Sequence, residues 1–179
     1  MSAPLSRDQV RLSRRVSMVL RHRPESVGIT LDRNGWVPVD TLTAALGITR
    51  SELEAVVDGN DKSRFVIEDD RIRASQGHSR RVNVDLDLIP ADPPPVLYHG
   101  TPSANLEPIM REGLRPRSRT HVHLSPDTST ATRVGSRRSP DVAILRVDTA
   151  AMTEAGRIFY RSANGVWLTD AVPPAYLSR

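Results

Sequence analysis

The sequence predicts an α+β protein in two lobes. Helix-type and strand-type apolar patterns occur together in each half of the chain. The strands of the second half lack the regular strand–helix–strand alternation of a parallel sheet, and no Gly-x-Gly-x-x-Gly follows any of them, so a Rossmann fold is not expected. Between the halves, Pro90, Pro93, Pro94 and Pro95 form a stiff spacer. That spacer places the lobes at 1–92 and 93–179, each long enough for a small core.

In the first half, Leu12, Val16, Val19 and Leu20 repeat at helical spacing, predicting a helix from Ser6 to Arg21 that Pro24 stops. Arg21, His22 and Arg23 crowd its last turn, where cations complement the helix dipole. Ile29 to Leu31, the turn Asp32-Arg33-Asn34-Gly35 and Trp36 to Val39 predict a hairpin or tight turn. A short helix follows over 40–46 with Asp40 as N-cap. Thr49 and Glu52 have capping-box spacing and open a third helix, ended by Gly59-Asn60-Asp61. Arg64 to Ile67 and Arg71 to Arg73 flank Glu68-Asp69-Asp70 as a second hairpin. Three short helices and a hairpin suggest a winged helix, which serves nucleic-acid binding or protein interaction equally well. Val82, Val84, Leu86 and Leu88 alternate with polar residues, predicting one more strand.

In the second half, Val96-Leu97-Tyr98 is an apolar strand that stops at His99-Gly100-Thr101. Ser103 is placed to cap a helix to Glu112, ended by Gly113. A loop bearing Arg115, Arg117 and Arg119 leads to a strand over His121-Val122-His123-Leu124-Ser125. Asp127 starts a short helix that Gly135 ends, and Val142 to Val147 reads as a buried strand. Thr149 to Ala155 is helical, closed by Gly156. A last hairpin joins Ile158-Phe159-Tyr160 to Val166-Trp167-Leu168 through Ser162-Ala163-Asn164-Gly165.

The chain has five histidines, and three of them, His99, His121 and His123, fall in one window. A side chain that titrates near neutrality and occurs in a cluster points to a site. A strand ending in His-Gly-Thr offers an imidazole, a hydroxyl and bare backbone, a surface suited to a ribose and a pyrophosphate. There is no cysteine, which removes thiolate metal sites and a cysteine nucleophile. No apolar stretch is long enough to span a bilayer, and Met1-Ser2-Ala3-Pro4 opens into a polar helix, so a cytoplasmic protein is expected. Net charge is +4, and Lys62 is the only lysine. Arginine suits bidentate phosphate recognition, although a G+C-rich genome gives the same bias.

Taken in order, Leu20-Arg21-His22, Asn34-Gly35-Trp36, Asp61-Lys62-Ser63-Arg64-Phe65, Gln76-Gly77-His78-Ser79, His99-Gly100-Thr101, Arg119 to Ser125 and Asn164 to Leu168 form a specific series. The sequence resembles the NAD-dependent RNA (tRNA) 2′-phosphotransferases over almost its whole length. The resemblance implies an N-terminal winged-helix RNA lobe followed by a C-terminal ADP-ribosyltransferase-like lobe. It implies Arg21, His22, Arg64 and Arg119 as the catalytic group. On the NAD side it implies His99, Gly100 and Thr101 on one strand, and His121, His123 and Ser125 on a second. Because 121 and 123 are two apart, both histidines stay candidates. Val166 stands where many relatives carry glutamate. Ser75 stands for a common asparagine, and Arg117 for a usually apolar residue.

The implied reaction removes an internal 2′-phosphate from RNA. The 2′-phosphate attacks C1″ of NAD and nicotinamide leaves. The ribose 2″-hydroxyl then attacks the ADP-ribosylated 2′-phospho-RNA intermediate, giving 2′-OH RNA and ADP-ribose 1″,2″-cyclic phosphate. The nucleophile of the first step is already an anion, which accounts for an apolar Val166. Two other readings stay open: an enzyme that ADP-ribosylates terminal phosphates and stops, and a winged-helix regulator that senses NAD. The implied partners are NAD and RNA carrying a 2′-phosphate, with no metal, no membrane and nothing that demands more than a monomer. His78 is either a structural hydrogen-bonding residue or an RNA-phosphate contact. Trp36 and Trp167 are expected in the core.

Overall fold

The first helix begins where its capping box lies. In a computed structural model that describes residues 5–59, 63–137, 139–162 and 164–179, α1 spans Arg7–Arg21. The Ser6 side chain accepts from the Gln9 N–H, and the Gln9 side chain accepts from the Ser6 N–H. Val16, Val19 and Leu20 face the core with Leu12 packed at the edge, as the spacing predicts. His22 is the C-cap residue. The chain divides into two compact units, Met1–Asp87 and Leu88–Arg179.

In the first unit, residues 29–31 form no strand, and the Asn34-Gly35 signal makes a tight turn instead of a hairpin. One Asp32 carboxylate oxygen accepts from the N–H groups of Asn34 and Trp36, and Gly35 takes a φ of +82°. β1 (Val37–Pro38) leads into α2 (Val39–Leu46). Asp40 is not the N-cap of this helix, because α2 starts one residue earlier. The Val39 N–H donates to the Asp70 carbonyl at 2.8 Å, so a distant turn satisfies the helix start. The Thr49–Glu52 capping box opens α3 (Arg50–Asp58), and Gly59 caps its end. Asn60 and Asp61, expected at that end, lie outside the described residues.

β2 (Phe65–Glu68) and β3 (Arg71–Ala74) form the predicted hairpin, and the antiparallel sheet has the order β1-β3-β2. Asp69 and Asp70 both have positive φ, +46° and +59°, the geometry of a tight two-residue hairpin turn. The core packs α1, α2 and α3 against Phe65, Ile72 and Ala74. The strand expected over 82–88 is absent, because nothing pairs with it. The Arg33 carbonyl accepts from the Asp85 N–H at 2.9 Å, and the Asn34 amide donates to the Asp85 carbonyl and the Asp87 carboxylate. Val84 is buried and the rest of this stretch follows the Asp32–Gly35 turn.

The second unit has two small antiparallel sheets. One has the order β4 (Val96–Pro102), β6 (Val142–Asp148), β9 (Leu177–Ser178); the other β5 (Val122–Leu124), β8 (Trp167–Thr169), β7 (Tyr160–Arg161). β4 does not stop before His99. It runs through His99-Gly100-Thr101 with His99 opposite Leu145 and Gly100 opposite Ile144. Ser103 opens a 3-10 turn and gives its hydroxyl to Asp141, so α4 (Leu106–Glu112) has no serine cap. Gly113 ends α4 at φ +82°. Asp127 caps α5 (Thr128–Gly135) and Asp148 caps α6 (Thr149–Glu154). Ala163 of the predicted turn lies outside the described residues, and the edge strand β9 had no sequence signal. The proline segment is built into this unit: the Pro95 carbonyl accepts from Thr149 and Ala150, and the Ala91 N–H donates to Phe159. Trp36 and Trp167 are both buried, at 9% and 7% exposure.

Candidate functional site

Polar residues of the first unit gather at the C-terminal end of α1. An Arg21 guanidinium nitrogen donates to the Arg64 carbonyl at 3.3 Å, which also accepts from the Ser75 N–H at 2.9 Å. The Ser79 N–H donates to the Arg21 carbonyl at 2.9 Å, and the Ser75 hydroxyl to the Ser63 carbonyl at 2.6 Å. The loop 75–79 therefore ties the end of α1, with Arg21 and His22, to the start of β2, with Arg64. This explains why motifs forty residues apart in sequence form one patch. Ser75 makes this contact through a main-chain N–H that any residue supplies, plus its hydroxyl.

His78 lies at the centre of this loop at 1% exposure, and neither ring nitrogen has a hydrogen-bond partner. Gln76 Oε1 and Ser79 Oγ are likewise buried without partners. The ring packs beside Gly35, where an added Cβ would come within 3.3 Å of His78 Nε2 and 2.9 Å of Val84. The Asn34-Gly35-Trp36 and Gln76-Gly77-His78-Ser79 motifs thus meet at one glycine. Burial first, then the positive charges of Arg21, His22 and Arg73, hold His78 down at about 4, so it is neutral near pH 7.

The second unit holds a cleft of about 610 Å³, within the range of about 300–1,000 Å³ usual for small-molecule sites. His99, Gly100, Thr101, Arg119, His121 and His123 all line it. Tyr98 and Ser125 exchange two backbone hydrogen bonds of 2.8 Å, which clamp β4 to the chain leaving β5 and bring the two predicted strands side by side. Ser125 is buried and contributes through this main-chain clamp; it is not among the cleft-lining residues.

His99 Nδ1 lies 3.0 Å from the His123 carbonyl. A carbonyl only accepts, so Nδ1 carries the proton and Nε2 of the neutral ring is an acceptor. Burial pushes His99 below its ordinary value, the His123 carbonyl opposes this, and Arg119 adds to the depression. The Thr101 hydroxyl accepts from the Asn105 amide at 3.3 Å, which orients it. Arg119 donates to His123 Nδ1 at 3.0 Å, so His123 is a partner of that guanidinium as well as a cleft residue. His121 contacts the Thr120 hydroxyl at 3.1 Å and meets the Tyr160 ring edge-on. Burial lowers its pKa, against Asp170, whose carboxylate is 3.8 Å away. His121 lies before β5 begins, so strand alternation does not govern it, and both histidines reach the cleft.

Gly100 is required for a different reason from the expected one. A Cβ there would lie 1.9 Å from the Ala131 carbonyl oxygen and 2.6 Å from its carbon. A Cβ on Gly135 would reach 3.0 Å from the Gly100 carbonyl carbon. The two glycines let the backbone of α5 pack directly on β4, so the space is filled by protein. Sequence reasoning missed Asn105, Arg137 and Pro108 as cleft residues and noted Arg115 only as a loop cation, whereas Arg117, expected as an added cation beside the site, does line the cleft. Arg117 has a φ of +55°, an unfavourable conformation for a non-glycine residue in a ligand-sized cleft. Val166 lies in the turn before β8, its N–H donating to the Ser162 hydroxyl at 3.1 Å. Among the described residues there is no cluster of metal ligands and no helix long and apolar enough to cross a membrane.

The profile of the family described as "RNA 2'-phosphotransferase, Tpt1 / KptA family" matches residues 7–171. Three similar proteins are each named probable RNA 2′-phosphotransferase. That of Streptomyces griseus subsp. griseus is 52% identical over 185 residues, covering 96% of each chain. That of Streptomyces coelicolor is 55% identical over 173 residues, covering 94% of this chain and 93% of its own. That of Rhizobium leguminosarum bv. trifolii is 51% identical over 174 residues, covering 95% and 94%.

Proposed function

The chain belongs to the RNA 2′-phosphotransferase, Tpt1 / KptA family, and from that premise we propose that it removes an internal 2′-phosphate from RNA by transferring it to NAD. The first unit is then a winged-helix RNA lobe and the second an ADP-ribosyltransferase-like lobe. The helices α1 to α3 with the sheet β1-β3-β2 support the first assignment. The protein works in the cytoplasm as a monomer, in tRNA processing or on other RNA carrying the same phosphate.

The observation that carries this reading is the pair of bonds meeting at His123. Its carbonyl fixes the His99 tautomer and its ring accepts from Arg119, so an acceptor and a cation are held on one cleft. His99 Nε2 accepts from a hydroxyl of the NAD ribose, and the Thr101 hydroxyl supplies a second contact. Gly100 admits no ligand into the space α5 fills, and its contribution is the stretch of β4 main chain that lines the cleft. Arg115, Arg117 and Arg137 line the same cleft and suit a pyrophosphate.

In the first step the RNA 2′-phosphate displaces nicotinamide at C1″, giving ADP-ribosylated 2′-phospho-RNA. The nucleophile needs no base, in keeping with Val166; it needs positioning. In the second step the 2″-hydroxyl attacks phosphorus and the RNA 2′-oxygen leaves. The products are 2′-OH RNA and ADP-ribose 1″,2″-cyclic phosphate. Arg21, Arg64 and Arg119 balance the charge on the phosphate oxygens, and His22 moves the proton from the attacking to the leaving oxygen.

The test incubates a short RNA with one internal 2′-phosphate, with and without NAD, and reads products by mass. NAD-dependent loss of the phosphate together with ADP-ribose cyclic phosphate is the expected result. A stable ADP-ribosylated RNA supports capping instead, and NAD binding without nicotinamide release supports a sensor. His22→Ala and Arg119→Ala are expected to slow the second step about 10²–10³-fold and let the intermediate accumulate. Failure of these variants to release nicotinamide overturns the roles given to His22 and Arg119.

A further inference from the structure

Two arginines share one indole in the first unit, and they differ in one respect. The guanidinium carbons of Arg71 and Arg73 lie 5.3 and 4.5 Å from the Trp36 ring centroid. Both project from β3 on the face opposite buried Ile72 and Ala74, since alternate residues share a face. Register explains the contact: Val37 pairs with Ile72 and Pro38 with Arg71, so the chain entering β1 brings Trp36 alongside Arg73. Arg71 also has the Asp32 carboxylate at 3.4 Å. Arg73 has no carboxylate within ion-pair distance among the described residues, and the indole is its contact.

A guanidinium packed on an aromatic ring has lost much of its rotamer freedom before any ligand arrives. Held without a counter-charge, its planar fork is preorganised for an anion with two oxygens to offer. The neighbourhood is cationic. Trp36 follows Gly35, which packs against the buried His78 ring, so Arg73 on the indole lies beside the loop that holds Arg21 and His22, and all three act electrostatically on that ring. His78 is neutral and adds no charge of its own. We propose that Arg73, seated on Trp36, binds a backbone phosphodiester of the RNA beside the nucleotide that carries the 2′-phosphate. Arg71, already paired with Asp32, serves as packing on the other side of the ring. This rests on the functional reading above and adds to it a residue that selects a 2′-phosphate within a chain over one on a free nucleotide.

The test uses the full chain without NAD and an oligoribonucleotide with one internal 2′-phosphate, followed by fluorescence anisotropy over a range of KCl. Arg73→Gln is expected to weaken binding about tenfold and to reduce the slope of log affinity against log salt by about 0.7, one single-strand phosphate contact. Arg73→Lys keeps the charge and restores the slope. Arg71→Gln is expected to stay within about twofold of the parent, as a surface pair is worth little. A second ligand with uncharged methylphosphonate linkages flanking the 2′-phosphate removes the difference between Arg73→Gln and the parent. An unchanged salt slope in Arg73→Gln overturns the proposal, and so does a loss that persists on the uncharged flanks. If the parent removes the 2′-phosphate with NAD while Arg73→Gln binds as the parent does, this proposal fails and the functional reading stands. If the parent neither binds the oligonucleotide nor removes its phosphate, both fail.

Discussion

The two units mount their polar residues differently. In the first, Arg21 and His22 sit at the end of α1, Arg64 just before β2, and His78 in a loop. In the second, His99, Gly100 and Thr101 lie inside β4 and His123 inside β5. Residues at element ends are placed by a tie from elsewhere, here the loop 75–79 and its bonds to the Arg21 and Arg64 backbones. Residues inside strands are placed by register, here the ladder with β6 and the Tyr98–Ser125 clamp. The same contrast separates the half-buried His99 from the buried His78. His99 has a backbone acceptor for its proton, whereas His78 has none among the described residues and remains neutral through burial and surrounding cations.

The strongest break of this comparison is Gly100→Ala. The new methyl group would meet backbone rather than a movable side chain, so α5 must shift off β4. A loss of about 3 kcal/mol is expected. Urea unfolding in a Trp36→Phe background reads it, because Trp167 then reports on the second unit alone. Gly28→Ala, where a Cβ would meet nothing but the φ is +71°, is a milder reference in the first unit, read from Trp36 in a Trp167→Phe background.

A second measurement sharpens the contrast between the histidines. Unfolded His78 binds a proton below its ordinary value of 6.5, and folded His78 only below about 4. Between those values the unfolded state holds more protons, so stability falls as pH drops through the window. At pH 4.5 the His78 contribution to that loss is about 2 kcal/mol relative to pH 7. His78→Phe keeps an aromatic ring there and removes the titration. Its stability is expected to drop less than the parent's between pH 7 and 4.5. The difference between the two proteins is the quantity to read, since burial also depresses His99 and His121. Equal acid sensitivity would show that His78 is not the buried base described.

The smallest effect is the one expected to be alike in both units. Thr49 and Asp127 each accept a helix N-terminal N–H, from Glu52 and Thr130. Thr49→Ala and Asp127→Ala should each cost about 1 kcal/mol in urea unfolding. A cap is a local device, and its loss does not depend on how a unit mounts its site.

Local devices were what the sequence made legible. The Thr49–Glu52 box, the Asp69-Asp70 turn, and the glycines after α3 and α4 follow from short-range chemistry, and each lies where its residues predict, while the Ser6–Gln9 box is equally local but went unread. Where local reading failed, a distant partner had decided. Asp40 lost the cap because Asp70 reached Val39, and Ser103 lost it because Asp141 took its hydroxyl. The strand pattern over 82–88 found no partner, while β9 without a pattern found β6. The sequence also named the histidines and arginines that occupy the two polar clusters, and the family to which their order belongs. It could not assign the proton on His99, the pairing of Arg119 with His123, or the helix behind Gly100. Those depend on groups that chain order separates and only packing brings within a few ångströms. Sequence alone determined the locally encoded helices, caps and turns and which chemistry is present; the tertiary structure decided which strands pair and which atom faces which, because hydrogen bonds and steric contact act through space and not along the chain.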